Sequence, residues 1–196
     1  MQKKIDEIFS LWQDHVGPGC QILVTQKGKT IYEKCFGYAN LETMTPITQD
    51  SVFHVASVSK QFTAMAILML HEQGKLSIFD DVRKYIPDLI QFSEPLTIKQ
   101  MMNHVSGLRE HYRLFTIQGR NGNDNITQEE IIRLNARQKS LNFKPGEEFM
   151  YCNANYVYMT EIVHRVSGIS FAEFSKRYIF EPLGMTSSFF REDADM

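Results

Sequence analysis

Ser57 and Lys60 stand three residues apart at the start of an apolar-patterned run, 56-ASVSKQFTAMAILMLHEQGKL-76, which reads as an amphipathic helix closed at Gly74. Residues i and i+3 are neighbours on a helix surface, so the amine can reach the hydroxyl. A serine at neutral pH is a weak nucleophile and needs an adjacent base. A lysine fills that role when burial or a nearby positive charge lowers its pKa. The helix start adds free backbone N–H groups and the positive end of the helix dipole, both favourable to a developing oxyanion. The chemistry indicated is acyl transfer. The pattern S-x-x-K is short, however, and the plain alternative is a helix cap followed by a solvated lysine.

A second pair, Tyr151 and Asn153 in 151-YCN-153, follows Pro145-Gly146 and precedes another helical pattern. Extended or in a turn, the two side chains point the same way. Tyr151 offers a phenol as proton relay, and Asn153 an amide for a substrate carbonyl or for the lysine. The same Y-x-N spacing recurs in 38-YAN-40, at the end of a strand, where it reads as structural.

The elements that must position these groups run in the order helix, two strands, then mostly helices. Ile5, Ile8, Phe9 and Trp12 share one face of an N-terminal helix. Residues 20–26 and 29–40 form an antiparallel hairpin around Lys27-Gly28. That register sets Cys20 opposite Cys35, so a cross-strand disulfide is conceivable, although three cysteines favour reduced thiols. A loop and short helix at 76–89 end at Pro87, with Asp80 and Asp81 as caps or turn residues. Thr97 caps a helix that runs to Ser106-Gly107. Residues 109–125 read as a surface loop; its Tyr112, Arg113 and Phe115 are either cleft-lining or ordinary loop residues. Thr127 and Glu130 form a capping box, the later part of 149–168 has helical spacing from Tyr156 to Val166, a final helix follows at 170–185, and Met65, Met69, Met101 and Met102 are expected in the core.

Composition narrows the function classes. At 196 residues with 43% hydrophobic and 22% charged residues, the chain is of ordinary globular make-up. A net charge of -2 and the lack of a basic, aromatic-studded stripe argue against nucleic-acid binding. No apolar run approaches membrane-spanning length. Asp6, Glu7 and Asp14 interrupt any signal-like segment, which places this chain in the cytoplasm, or outside it if a signal was removed. The histidines His15, His54, His71, His104, His111 and His164 lack metal-ligand spacing, and no metal or cofactor is expected.

Taken in order, 56-ASVSKQFTAMAILMLHEQGKLSIFDDVRKYIP-87, 97-TIKQMMNHVSGL-108 and the segment from Phe143 to Met185 resemble the penicillin-recognising serine hydrolases. The branch is that of class C β-lactamases, D,D-peptidases and related esterases, and the resemblance runs from about Ile5 to about Phe190. It implies an α/β (α+β) fold of the β-lactamase/transpeptidase type: a mostly helical lobe over 51–196 and an N-terminal helix and hairpin over 1–50 belonging to an incomplete sheet. It implies Ser57 as acylated nucleophile, Lys60 as its activator, Tyr151 as base then acid, and Asn153 as contact for the substrate amide. Cys152 stands where the family often has serine.

The family's third motif, Lys or His, any residue, then Gly, has no match after Tyr151. The expectation is a chain cut before the C-terminal strands, holding the nucleophile half of the site and impaired alone. An open sheet edge predicts self-association or a partner. The readings that stand are a serine hydrolase acting on a β-lactam, a D-amino-acid peptide or a small ester, and, as the alternative, a non-catalytic binding or regulatory module or a fragment needing a complementing partner.

Overall fold

The N-terminal helix forms as two pieces, α1 (Gln2–Ile8) and α2 (Ser10–Gln13), interrupted at Phe9. The computed structural model describes residues 2–13, 16–89, 94–121 and 124–191. His15 and all but the first residue of the terminal REDADM lie outside them. The chain divides into two compact units, Met1–His54 and Val55–Met196.

In the first unit, Lys27 and Gly28 take positive φ (50° and 74°) and turn β1 (Cys20–Gln26) back on β2 (Lys29–Phe36). The predicted register fails at one point. Val24 faces Tyr32 while Thr25 faces Thr30, so Ile31 is a bulged extra residue. That slip of one sets Cys20 against Phe36 and Gln21 against Cys35, and the cysteines are free thiols. Asp6 of α1 accepts hydrogen bonds from the Tyr32 hydroxyl (2.8 Å) and the Lys34 ammonium (2.9 Å), and the Phe9 ring stacks on Phe36. Ile8 is largely exposed, so the predicted apolar face is only partly used. A second two-stranded sheet pairs β3 (Tyr38–Asn40) with β4 (Thr45–Pro46). Asn40 accepts from the backbone N–H groups of Glu42 and Thr43, a turn-building role for the other Y-x-N. Among the described residues these are the sheets present.

The second unit is helical. A 3-10 turn (Ala56–Ser59) leads into α3 (Lys60–Glu72), whose buried Thr63, Ala66, Ile67 and Leu70 recur at helical spacing. Gly74, at φ 68°, closes it as expected. Met65 departs from the expectation: it lies on the outward face and is half exposed, while Met101 is buried. Asp81 caps a 3-10 turn (Val82–Lys84), and Asp80 gathers the Ser77 N–H, Lys84 and the Tyr85 hydroxyl.

Thr97 and Gln100 form a reciprocal capping box on α4 (Ile98–Met102), which ends well before the predicted Ser106-Gly107. The supposed loop at 109–125 contains α5 (His111–Ile117), with Phe115 in the core rather than in a cleft. The Thr127–Glu130 box opens α6 (Gln128–Ala136). Helix α7 (Asn153–Ser167) packs against α3, α4, α6 and α8 (Phe171–Ser175), and α8 runs on into a π-helical turn (Lys176–Phe180). Full burial of Tyr158, Met159, Ile162 and Val163 makes α7 the centre of this core, each apolar side chain contributing about 1.5–3 kcal/mol. Among the described residues no helix is long and apolar enough to cross a membrane.

Candidate active site

Helices α3 and α7 begin side by side, and the four predicted site residues meet there. Lys60 is the first residue of α3 and Asn153 the first of α7. The Lys60 Nζ donates to Ser57 Oγ at 3.0 Å and to Asn153 Oδ1 at 2.8 Å. The Ser57 and Tyr151 hydroxyls are hydrogen-bonded at 2.7 Å. The predicted residues therefore form one connected set.

Ser57 lies in the 3-10 turn rather than in α3 itself. In 3-10 geometry side chains at i and i+3 eclipse, which lays Lys60 over Ser57. Ala56, just before the serine, sits at φ 46°, a conformation that costs an L-residue roughly 1–2 kcal/mol. Lys60 is half-buried, with its ammonium 5.0 Å from the centre of the Tyr151 ring and 5.4 Å from that of Tyr156. Those ring faces attract a cation and offset part of its lost hydration. Burial opposes ionisation of the Tyr151 phenol. The polar contacts of Lys60 and Ser57, together with the lysine charge, outweigh it and hold the Tyr151 pKa below its ordinary value of 10.

Tyr151 is aimed by the H-V-S-G-L segment. The carbonyls of His104, Val105 and Gly107 accept from the N–H groups of Met150, Gly146 and Asn142, so residues 104–107 run as a strap along 142–150. Gly107 must be glycine here: it has φ 72°, and a Cβ would stand 2.2 Å from the Phe143 carbonyl oxygen. The His104 ring packs against Tyr151 at 4.4 Å with the planes tilted by 32°, and its Nδ1 accepts the Cys152 N–H at 3.1 Å. An acceptor at Nδ1 puts the ring proton of the neutral imidazole on Nε2. Burial, then the Lys60 charge, hold the His104 pKa below its usual range, in keeping with the neutral ring. Ser106 Oγ donates to Asn155 Oδ1 at 2.7 Å, tying the strap to α7.

Glu110 completes the site from the far side of Asn153. Its Oε2 accepts the Asn153 backbone N–H at 2.5 Å and the side-chain Nδ2 at 3.3 Å. Sequence reasoning missed it; the available signal was a carboxylate one residue before the helical spacing of His111 and Phe115. His104 was noticed only as part of a resemblant segment. Cys152 is fully buried and its thiol is pushed up to about 12, chiefly by burial, which leaves it no part in the chemistry. Among the described residues no group of three His, Cys, Asp or Glu side chains is placed to hold a metal.

The beta-lactamase family model matches residues 6–196. Penicillin-binding protein 4* of Bacillus subtilis is 34% identical over 188 residues, covering 95% of this chain and 41% of that protein. The D-aminopeptidase of Brucella anthropi is 29% identical over 173 residues, covering 88% of this chain and 33% of the relative. The octameric penicillin-binding protein homologue from Pyrococcus abyssi superposes with a TM-score of 0.79 at 36% identity, over 94% of this chain and 42% of its own. The chain thus spans about two fifths or less of the length of these relatives.

Proposed function

The chain belongs to the beta-lactamase family and has a β-lactamase/transpeptidase-like fold; from that premise we propose that Ser57 is the nucleophile of an acyl-transfer reaction. The observation that carries the proposal is the contact of Ser57 Oγ with both the Tyr151 hydroxyl and the Lys60 ammonium. Ser57 Oγ attacks the substrate carbonyl while its proton passes to the Tyr151 phenolate, and Lys60 steadies that phenolate beforehand. The backbone N–H of Ser57 is one donor for the oxyanion. As the tetrahedral adduct collapses, Tyr151 returns the proton to the departing nitrogen or oxygen. Water activated by Tyr151 then releases the acyl group and restores Ser57.

Asn153 holds Lys60 through Oδ1 and keeps one Nδ2 hydrogen for a substrate amide carbonyl. The substrate class is a β-lactam, a D-amino-acid peptide or amide, or a small ester, a range that the penicillin-binding and D-aminopeptidase relatives support. The reading commits to acylation of Ser57, with deacylation as the slower step. The octameric homologue also supports self-association, which sedimentation of the purified chain tests.

The functional test is a chromogenic nitrophenyl ester. The proposal expects a burst of nitrophenolate stoichiometric with the chain and lost in Ser57→Ala; equal release by the variant overturns it.

A further inference from the structure

Glu110 is a carboxylate only 13% exposed, and no established part of the acyl-transfer scheme above needs it. Burying a charge is costly unless hydrogen bonds replace its water. Its two oxygens divide their work. Oε1 faces the Tyr112 N–H at 3.4 Å, a long cap on α5, and lies 3.2 Å from His111 Nδ1 without hydrogen-bond alignment. Oε2 takes both donors of Asn153, at 2.5 Å and 3.3 Å. The shortest contact thus goes to Asn153 at the site, and the helix cap is the longest.

The consequence lies in the orientation of the Asn153 amide. With Nδ2 on the Glu110 carboxylate, Oδ1 is turned to Lys60, where it accepts at 2.8 Å. Reversing the amide would set an oxygen against the carboxylate and an NH2 against the ammonium, replacing two attractions by two repulsions. Only one orientation survives. Lys60 is then held under Ser57 by a chain that runs carboxylate, amide, ammonium, hydroxyl.

We propose that Glu110 is a positioning residue, fixing the Asn153 amide so that Lys60 is held against Ser57 and Tyr151. This rests on the reading of Ser57 as nucleophile. The titratable groups around it are Lys60, Tyr151, Cys152, His104 and His111, and the Glu110 charge touches each of the last four.

The test combines a variant-free measurement with two substitutions. In the isotope-labelled full chain, a scalar coupling across the hydrogen bond between the Asn153 amide nitrogen and the Glu110 carboxyl carbon is expected. Glu110→Ala should keep a cooperative thermal transition yet slow acylation of Ser57 by an activated ester roughly tenfold to a hundredfold. Its pH midpoint should lie above that of Glu110→Gln, because both variants lose the carboxylate charge but only Glu110→Ala also loosens the Lys60 that steadies the Tyr151 phenolate. Glu110→Gln should recover most of the rate, since its carbonyl oxygen can accept the same two donors. A Glu110 that merely caps α5 leaves the rate in place and gives the two variants the same midpoint. Absence of the coupling, or an unchanged acylation rate in Glu110→Ala with the same midpoint as Glu110→Gln, overturns the proposal. Should the unsubstituted chain take no acyl group at all, the nucleophile reading fails, while the coupling still decides whether Glu110 holds Asn153. Should Glu110→Ala not fold, the coupling and the acylation rate of Glu110→Gln decide it.

Discussion

The Tyr151 hydroxyl lies 2.7 Å from Ser57 Oγ across 94 residues of chain, and the Lys60 ammonium sits over the tyrosine ring at 5.0 Å. The proposed proton acceptor and the charge that would stabilise its ionised form therefore both meet Ser57 Oγ, at 2.7 Å and 3.0 Å. Tyr151→Phe keeps the ring and its packing against His104 but removes the acceptor. Acylation should fall by roughly 10²–10⁴, with little change in stability because Tyr151 is 45% exposed. Single-turnover acylation and thermal melts of the two proteins check both halves of this prediction. In the unsubstituted chain the rate should rise with pH as Tyr151 ionises, with a midpoint below 10.

His104 holds the backbone that carries Tyr151. Replacing it with alanine leaves the buried Cys152 N–H without its acceptor, a loss of about 1–3 kcal/mol in urea unfolding. The pH dependence has a definite sign. The folded-state pKa lies below the ordinary 6.5, so the unfolded chain binds the proton first as pH falls. Stability is therefore complete above 6.5 and is lost on acidification toward the folded pKa. His111, also lowered by burial, acts in the same direction, so the loss should shrink but not vanish in His104→Ala.

Asp80 acts at the opposite sign of charge. Hydrogen bonds from Tyr85, Lys84 and the Ser77 N–H hold its pKa at about 2 against an ordinary 3.8. Its contribution is present above 3.8 and fades as pH falls toward 2. Asp80→Asn should unfold at lower urea than the unsubstituted chain at neutral pH, with the gap closing through that window. A gap constant from neutrality down to pH 3 would contradict this.

The three thiols should separate by accessibility. Cys152 is fully buried with its pKa pushed up to about 12, so alkylation of the folded chain should spare it until the protein is denatured. Cys20 and Cys35 are half-buried and should be modified first, Cys20 slowly because burial, then its neighbour Cys35, raise its pKa. Peptide mapping after brief treatment with iodoacetamide reads the order directly.

How much of this was legible in the sequence follows from the range of the interactions. Capping boxes and turns are local, and Thr127–Glu130, the Lys27-Gly28 turn and the stop at Gly74 were readable for that reason. The bulge at Ile31 was not, because strand register answers to packing as well as to the turn. Residues 109–125 look unpatterned because α5 spans two turns and buries only His111 and Phe115. Met65 was misplaced since the apolar stripe of α3 continues around to an exposed face. At the site, Ser57, Lys60, Tyr151 and Asn153 carried recognisable types and spacing. Glu110 did not: its partner is 43 residues away, and only the fold brings the carboxylate under the Asn153 amide.

The central claim, that Ser57 is activated by Tyr151 and Lys60, is tested most directly by intact-mass spectrometry of the folded chain after incubation with a penicillin and, separately, an activated ester. The account predicts an adduct of one acyl group that maps to Ser57 and is absent from Ser57→Ala. A folded chain that takes no adduct from either reagent, or a Ser57→Ala chain that takes it equally well, would contradict it.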